Sequence, residues 1–107
     1  MWITGAGVVS PLGNNIQEFW DHLIAGTSGA GPITRFDASD LPVHFAAEVK
    51  EFEATKYVSP KEARHLDRFV QFAIAAGSEA VTDSGLDLGK VDPRRVGCLW
   101  ASGIGGL

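Results

Sequence analysis

A single cysteine, Cys98, stands in 107 residues. One thiol excludes an internal disulfide and a cysteine cluster for structural zinc, and it suits a reducing compartment. Basic residues are also scarce: nine Lys and Arg face thirteen Asp and Glu, for a net charge of -4. That balance lacks the electrostatic footprint of a general nucleic-acid or anionic-membrane binder, so any basic contact must be local. No apolar run approaches the roughly 20 residues of a membrane span. Residues 1–13 have no basic region ahead of their apolar stretch, which argues against a secretory leader. Internal repeats and low-complexity tracts are absent as well. These absences predict a soluble, cytoplasmic chain with no nucleic-acid or membrane partner.

What is present is the composition of one modest domain, 45% hydrophobic and 21% charged, close to the globular averages of roughly 45 to 50% and about 25%. Glycine is abundant: thirteen residues, where a usual share of roughly 7% would give about eight. Backbone turns with positive φ, or close backbone approaches, are therefore expected.

Trp2, Ile3 and Thr4 followed by Gly5-Ala6-Gly7 read as a short buried strand entering a glycine turn. Asn14 is positioned to cap a helix, along which Ile16, Phe19, Trp20, Leu23 and Ile24 share one face before Gly26 ends it. Residues 27–40 read as an irregular loop, and residues 43–49 as a strand. Ser59-Pro60-Lys61-Glu62 is a capping box with proline at the first helical position. The stripe Leu66, Phe69, Val70, Ala73, Ile74, Gly77 and Val81 continues at helical spacing, on one helix or on two abutting ones. Ser84-Gly85 closes it, Asp92-Pro93 marks a turn, and residues 96–101 read as a buried strand leading into Gly103-Ile104-Gly105-Gly106. The order strand, helix, strand, helix, strand predicts a mixed α/β layer. A buried strand that runs into a glycine loop without a covering helix predicts a piece of a larger fold.

Gly5-x-Gly7 after a strand has the start of a dinucleotide-binding fingerprint, but Ser10-Pro11 occupies the place of the third glycine. The expectation is a structural turn and no cofactor. Gly103-Ile104-Gly105-Gly106 is not followed by the Gly-Lys-Ser or Gly-Lys-Thr of a phosphate loop. It fits a ligand-facing loop, with Ile104 as the one side chain able to touch a substrate, or plain packing. Cys98, among Val96, Leu99 and Trp100, is expected to be a desolvated core thiol rather than a nucleophile. His22, His44 and His65 show no metal-ligand spacing, so no metal is expected, and His22 reads as structural. Lys61, Arg64, His65 and Arg68 fall within about 100° of arc on a continuous helix. Cations near a helix N-terminus lose roughly 0.3 to 1 kcal/mol each to the macrodipole, so an anionic partner competes with the plainer reading of a solvated face.

Ile3-Thr4-Gly5-Ala6-Gly7-Val8-Val9-Ser10-Pro11-Leu12-Gly13-Asn14 and Leu23-Ile24-Ala25-Gly26-Thr27-Ser28-Gly29, taken with Arg35-Phe36-Asp37, Lys61-Glu62-Ala63-Arg64, Leu66-Asp67-Arg68-Phe69 and Ser102-Gly103-Ile104-Gly105-Gly106, resemble the opening of the elongating β-ketoacyl-acyl-carrier-protein synthases. The resemblance implies a thiolase-like fold with αβαβα layers. Residues 1–107 would be the incomplete N-terminal part of the first half. It implies decarboxylative condensation of malonyl-carrier protein with an acyl chain held on a cysteine, in fatty-acid elongation, by a cytoplasmic homodimer. It implies that no catalytic residue falls within this stretch, since the family's cysteine and two histidines lie downstream and Cys98 is not that cysteine. Lys61, Arg64 and Arg68 would dock the acidic acyl carrier protein, and Gly103, Ile104 and Gly105 would line the acyl pocket. Trp2, His65 and Leu99-Trp100-Ala101 depart from the family pattern, the last of them where pocket shape is set. The alternatives are a polyketide ketosynthase, a non-catalytic ketosynthase-like subunit of the chain-length-factor type, or a free-standing nucleotide-binding domain.

Overall fold

In the computed structural model, which describes residues 1–106, the chain divides into two units, Val8–Glu53 and Met1–Gly7 with Ala54–Leu107. Each is built from its own local signals.

In the first unit, Ser10 and Gly13 close a tight turn by exchanging backbone hydrogen bonds of 2.9 and 3.2 Å. Helix α1 follows over Ile16–Ile24. Its N-cap is Asn15, whose side chain accepts from the Glu18 amide at 2.9 Å. Asn14 does not cap. Its Nδ2 donates to the Lys50 carbonyl at 2.8 Å, and its own amide donates to Glu18 Oε2 at 3.0 Å. The cap is thus one residue later than the sequence suggested, because an adjacent asparagine was free for the same task. Gly26 ends the helix at φ +67°, a conformation that costs residues with a Cβ. The expected strand over 43–49 is shorter: β1, Gly31–Pro32, pairs antiparallel with β2, Phe45–Ala46, in the register Gly31 to Ala46 and Pro32 to Phe45. Glu48 anchors the loop beside it by accepting from the Thr34 hydroxyl at 2.7 Å.

The second unit is organised by α2, Pro60–Ala63, and α3, Arg68–Asp83. The capping box at Ser59 is complete: Glu62 N–H donates to Ser59 Oγ at 3.2 Å, and Ser59 N–H donates to Glu62 Oε2 at 3.0 Å. Asp67 interrupts the helix with extended backbone, φ -60° and ψ 151°, so the apolar stripe belongs to two helices rather than one. Gln71 bridges the break, its Nε2 donating to the carbonyls of Ala63 and Leu66 at 2.9 Å each. Gly85, at φ +64°, closes α3.

The segment through Gly5 and Gly7 is not a turn. It runs against α3 so closely that a Cβ on Gly5 would lie 2.8 Å from Ser84 Cα and one on Gly7 2.8 Å from Ala80 N. Small residues on both sides permit this, and Ala75, 1% exposed, lies in the same stretch of α3. The Ala6 amide donates to Asp83 Oδ2 at 2.9 Å, which ties the segment to the helix end.

Residues 96–101 form no strand ladder among the described residues, and the reading of this stretch as a buried strand is corrected. Trp100 lies against Gly77 of α3, where a Cβ would come within 2.9 Å of its indole. Leu99 is 95% exposed, and Cys98 is exposed too. Apolar composition suggested burial, but burial requires a second layer, and the described residues supply only α3.

Candidate functional site

The glycine loop expected to face a ligand is residues 102–106. Ser102 Oγ accepts from the Gly105 amide at 2.9 Å, which folds the loop back on itself. Gly105 takes φ +81°, a conformation that L side chains rarely adopt, so this position specifically needs glycine. Ile104 is thereby presented outward, 77% exposed, as the one large side chain of the run. Around Gly103 there is open space, whereas a Cβ on Gly105 would sit 3.5 Å from the Phe69 ring. At Gly106 a Cβ would overlap the Asp67 carboxylate and lie 2.7 Å from its Cγ. The loop is therefore seated on the first residues of α3, a support that the sequence reading assigned only to core packing in Phe69 and overlooked in Asp67. A signal was available: Asp67 stands where a cap would start a helix, and α3 begins at the next residue.

The structure places the four basic residues differently from a single helical face. Lys61 is on α2, Arg64 is its C-cap, His65 follows in the turn, and Arg68 opens α3. The helix break at Asp67 invalidates the arc calculation, which assumed continuous winding. Lys61, Arg64 and His65 are exposed, and Lys61 and His65 line one groove with Ser59, Glu62 and Leu66. Arg68 is half-buried, its guanidinium 5.1 Å from the centre of the Phe72 ring, a cation–π arrangement that holds it along α3. The Ser59 hydroxyl, and then its amide, hold the Glu62 carboxyl below the usual carboxylate range.

Two of the histidines meet backbone carbonyls. His22 Nδ1 meets the Leu12 carbonyl and His44 Nδ1 that of Ala38, the latter at 2.9 Å. Among the described residues no cluster of His, Cys, Asp and Glu could hold a metal ion, and no helix is long and apolar enough to cross a membrane.

A short capped helix, a basic turn and a glycine loop resting on the next helix form one local assembly. Residues 1–107 match the model of the β-ketoacyl synthase N-terminal domain, and the chain belongs to that family. It is 50% identical over 105 residues to 3-oxoacyl-acyl-carrier-protein synthase 2 of Coxiella burnetii and 45% identical over 105 residues to that of Synechocystis sp.. Each alignment covers 98% of this chain and 25% of the relative, so the chain spans about a quarter of the length of the curated relatives it matches. Among solved structures, the ishigamide ketosynthase/chain length factor superposes with a TM-score of 0.71 at 38% identity, covering 83% of this chain and 22% of that one. The fold is accordingly thiolase-like α/β, and this stretch is the N-terminal part of it.

Proposed function

We propose that these residues are the N-terminal part of a β-ketoacyl-acyl-carrier-protein synthase that condenses malonyl-carrier protein, with loss of carbon dioxide, onto an acyl chain held as a thioester on the enzyme. The observation that carries this reading is the agreement of the family match over residues 1–107 with relatives of one named activity at 45 and 50% identity. In it, Lys61 and Arg64 meet the acidic carrier protein together with the more constrained Arg68, and Gly103, Ile104 and Gly105 border the acyl chain. The nucleophilic cysteine and two histidines belong to the rest of the enzyme, which works as a cytoplasmic homodimer. Covalent capture divides a hard carbon–carbon condensation into easier steps.

The test is to incubate the full-length enzyme with acyl- and malonyl-carrier protein and follow carbon dioxide release and the β-ketoacyl product. Release of one carbon dioxide per product formed supports the reading, and absence of product from a folded, acyl-loaded enzyme overturns it. A second reading, a subunit of a ketosynthase/chain-length-factor pair, is favoured by the likeness to the ishigamide protein. A chain-length-factor subunit would form no acyl-enzyme, so mass spectrometry after incubation with an acyl thioester separates the two.

A further inference from the structure

The first turn of α3 carries two side chains that touch the glycine loop, and neither serves its own helix in the usual way. Asp67 is the N-cap by backbone geometry, but its side chain makes no capping hydrogen bond. Its carboxylate instead lies where a Cβ on Gly106 would go. The Phe69 ring faces Gly105. Ring atoms Cζ, Cε1 and Cε2 are the nearest neighbours of a Cβ placed on Gly105, at 3.5, 3.8 and 4.0 Å, so the ring is the surface that faces the loop at this position. The residue between these two contacts and Gly103 is Ile104, so the height of the loop above α3 sets where the isoleucine stands.

We propose that Asp67 and Phe69 are positioning residues that hold the 102–106 loop and thereby fix the acyl-chain length that Ile104 admits. This rests on the reading of the protein as a condensing enzyme. Neither side chain is argued to touch substrate; both act through the loop backbone. A pocket discriminates by about 10- to 200-fold per methylene when its walls are held in place, and a wall free to move discriminates less. Loss of the Phe69 ring should therefore flatten the dependence of rate on primer length rather than lower all rates together.

The experiment is kcat/KM for acyl primers of increasing length, measured on the full-length enzyme as wild type, Phe69→Leu, Phe69→Tyr, Gly106→Ala and Asp67→Ala. Phe69→Leu keeps apolar volume and so protects the fold while removing the flat ring. It should change the ratio of long- to short-primer kcat/KM by about tenfold, with the affinity for carrier protein unchanged. Phe69→Tyr, which keeps the ring, should retain the wild-type profile. Gly106→Ala, whose methyl would overlap the Asp67 carboxylate, and Asp67→Ala, which removes that carboxylate, should each shift the dependence on primer length. A uniform change across all primer lengths, or a wild-type profile in Asp67→Ala, overturns the inference. If wild type condenses no primer, the reading of the enzyme fails and takes this inference with it. If wild type condenses normally and the variants keep its profile, only the inference fails.

Discussion

Alanine in place of Gly7 adds a single methyl group, and the structure says where it must go. The new Cβ would overlap the Ala76 carbonyl and lie 2.8 Å from Ala80 N and 3.0 Å from Ala76 C. All three are main-chain atoms of α3, so no flexible side chain can swing away. Either the N-terminal segment lifts from the helix or the helix shifts. Overpacking of this kind costs about 1 to 3 kcal/mol, and a rigid backbone neighbour puts the cost at the upper end. Gly7 does not have positive φ, so alanine also recovers about 0.4 to 1 kcal/mol by restricting the unfolded chain. The net loss is about 2 kcal/mol. In urea, with a slope of about 2 to 3 kcal/mol/M, the unfolding midpoint should fall by about 0.7 to 1 M at unchanged slope. Gly97→Ala is the control, because Gly97 has nothing within 4 Å of a Cβ and no positive φ, so its midpoint should stay or rise. A Gly7→Ala midpoint equal to wild type, or a Gly97→Ala loss as large, would refute the close-approach argument.

Glu62 has its pKa lowered by the Ser59 hydroxyl and amide, so the stability this gives is present above the ordinary glutamate pKa and is lost as pH falls through the lowered one. Unfolding midpoints recorded from pH 7 down to pH 3 should show less acid loss in Glu62→Gln than in wild type, and parallel curves would contradict the assignment. Cys98 is exposed, so a thiol reagent should label it in the native chain at a rate comparable to that in denaturant; strong native-state protection would restore the buried reading. In the full-length enzyme, Lys61→Glu with Arg64→Glu should raise KM for carrier-bound substrate with kcat little changed, and the defect should shrink as salt rises. An unchanged KM at low salt removes these residues from the docking surface. Ile104→Phe should lower kcat/KM for long primers first, by about 10-fold or more, and an equal fall at every length would instead indicate general damage to the site.

Which features could be read from the sequence depends on how far apart their causes lie along the chain. The capping box at Ser59, the glycine ends of α1 and α3 and the apolar spacing of Ile16 to Ile24 are each set within a few residues. All were legible, and Asn15 displaced Asn14 as cap by only one position. The misreadings have non-local causes. Cys98 and Leu99 look like core by composition, but burial is decided by what faces them, and that information lies elsewhere in the chain. Gly5-x-Gly7 looks like a structural turn. It is instead half of a backbone contact, whose other half is Ala76, Ala80 and Ser84, small residues at every fourth position some seventy residues later.

The basic residues and the glycine loop make the same point about function. Helical spacing placed Lys61, Arg64, His65 and Arg68 on one face, yet the chain leaves the helix after Ala63 and re-enters it only after the extended Asp67, so Lys61 is on α2, Arg64 and His65 are in the turn and Arg68 is on α3. That interruption also puts the Asp67 carboxylate and the Phe69 ring under the 102–106 loop. A helix continuing through residue 67 would have kept the charged face of the wheel, but Asp67 would then have had helical backbone rather than the extended conformation that sets its carboxylate against Gly106. The break that spoils the simplest docking argument is therefore the feature that connects the basic turn to the loop carrying Ile104. Arg68 lies between the two loop-supporting residues in sequence, so a change in how the chain holds residue 67 would move a proposed carrier contact and a proposed pocket wall together. For that reason, variants at Asp67 should be scored on both carrier affinity and primer length before either effect is assigned to a separate site.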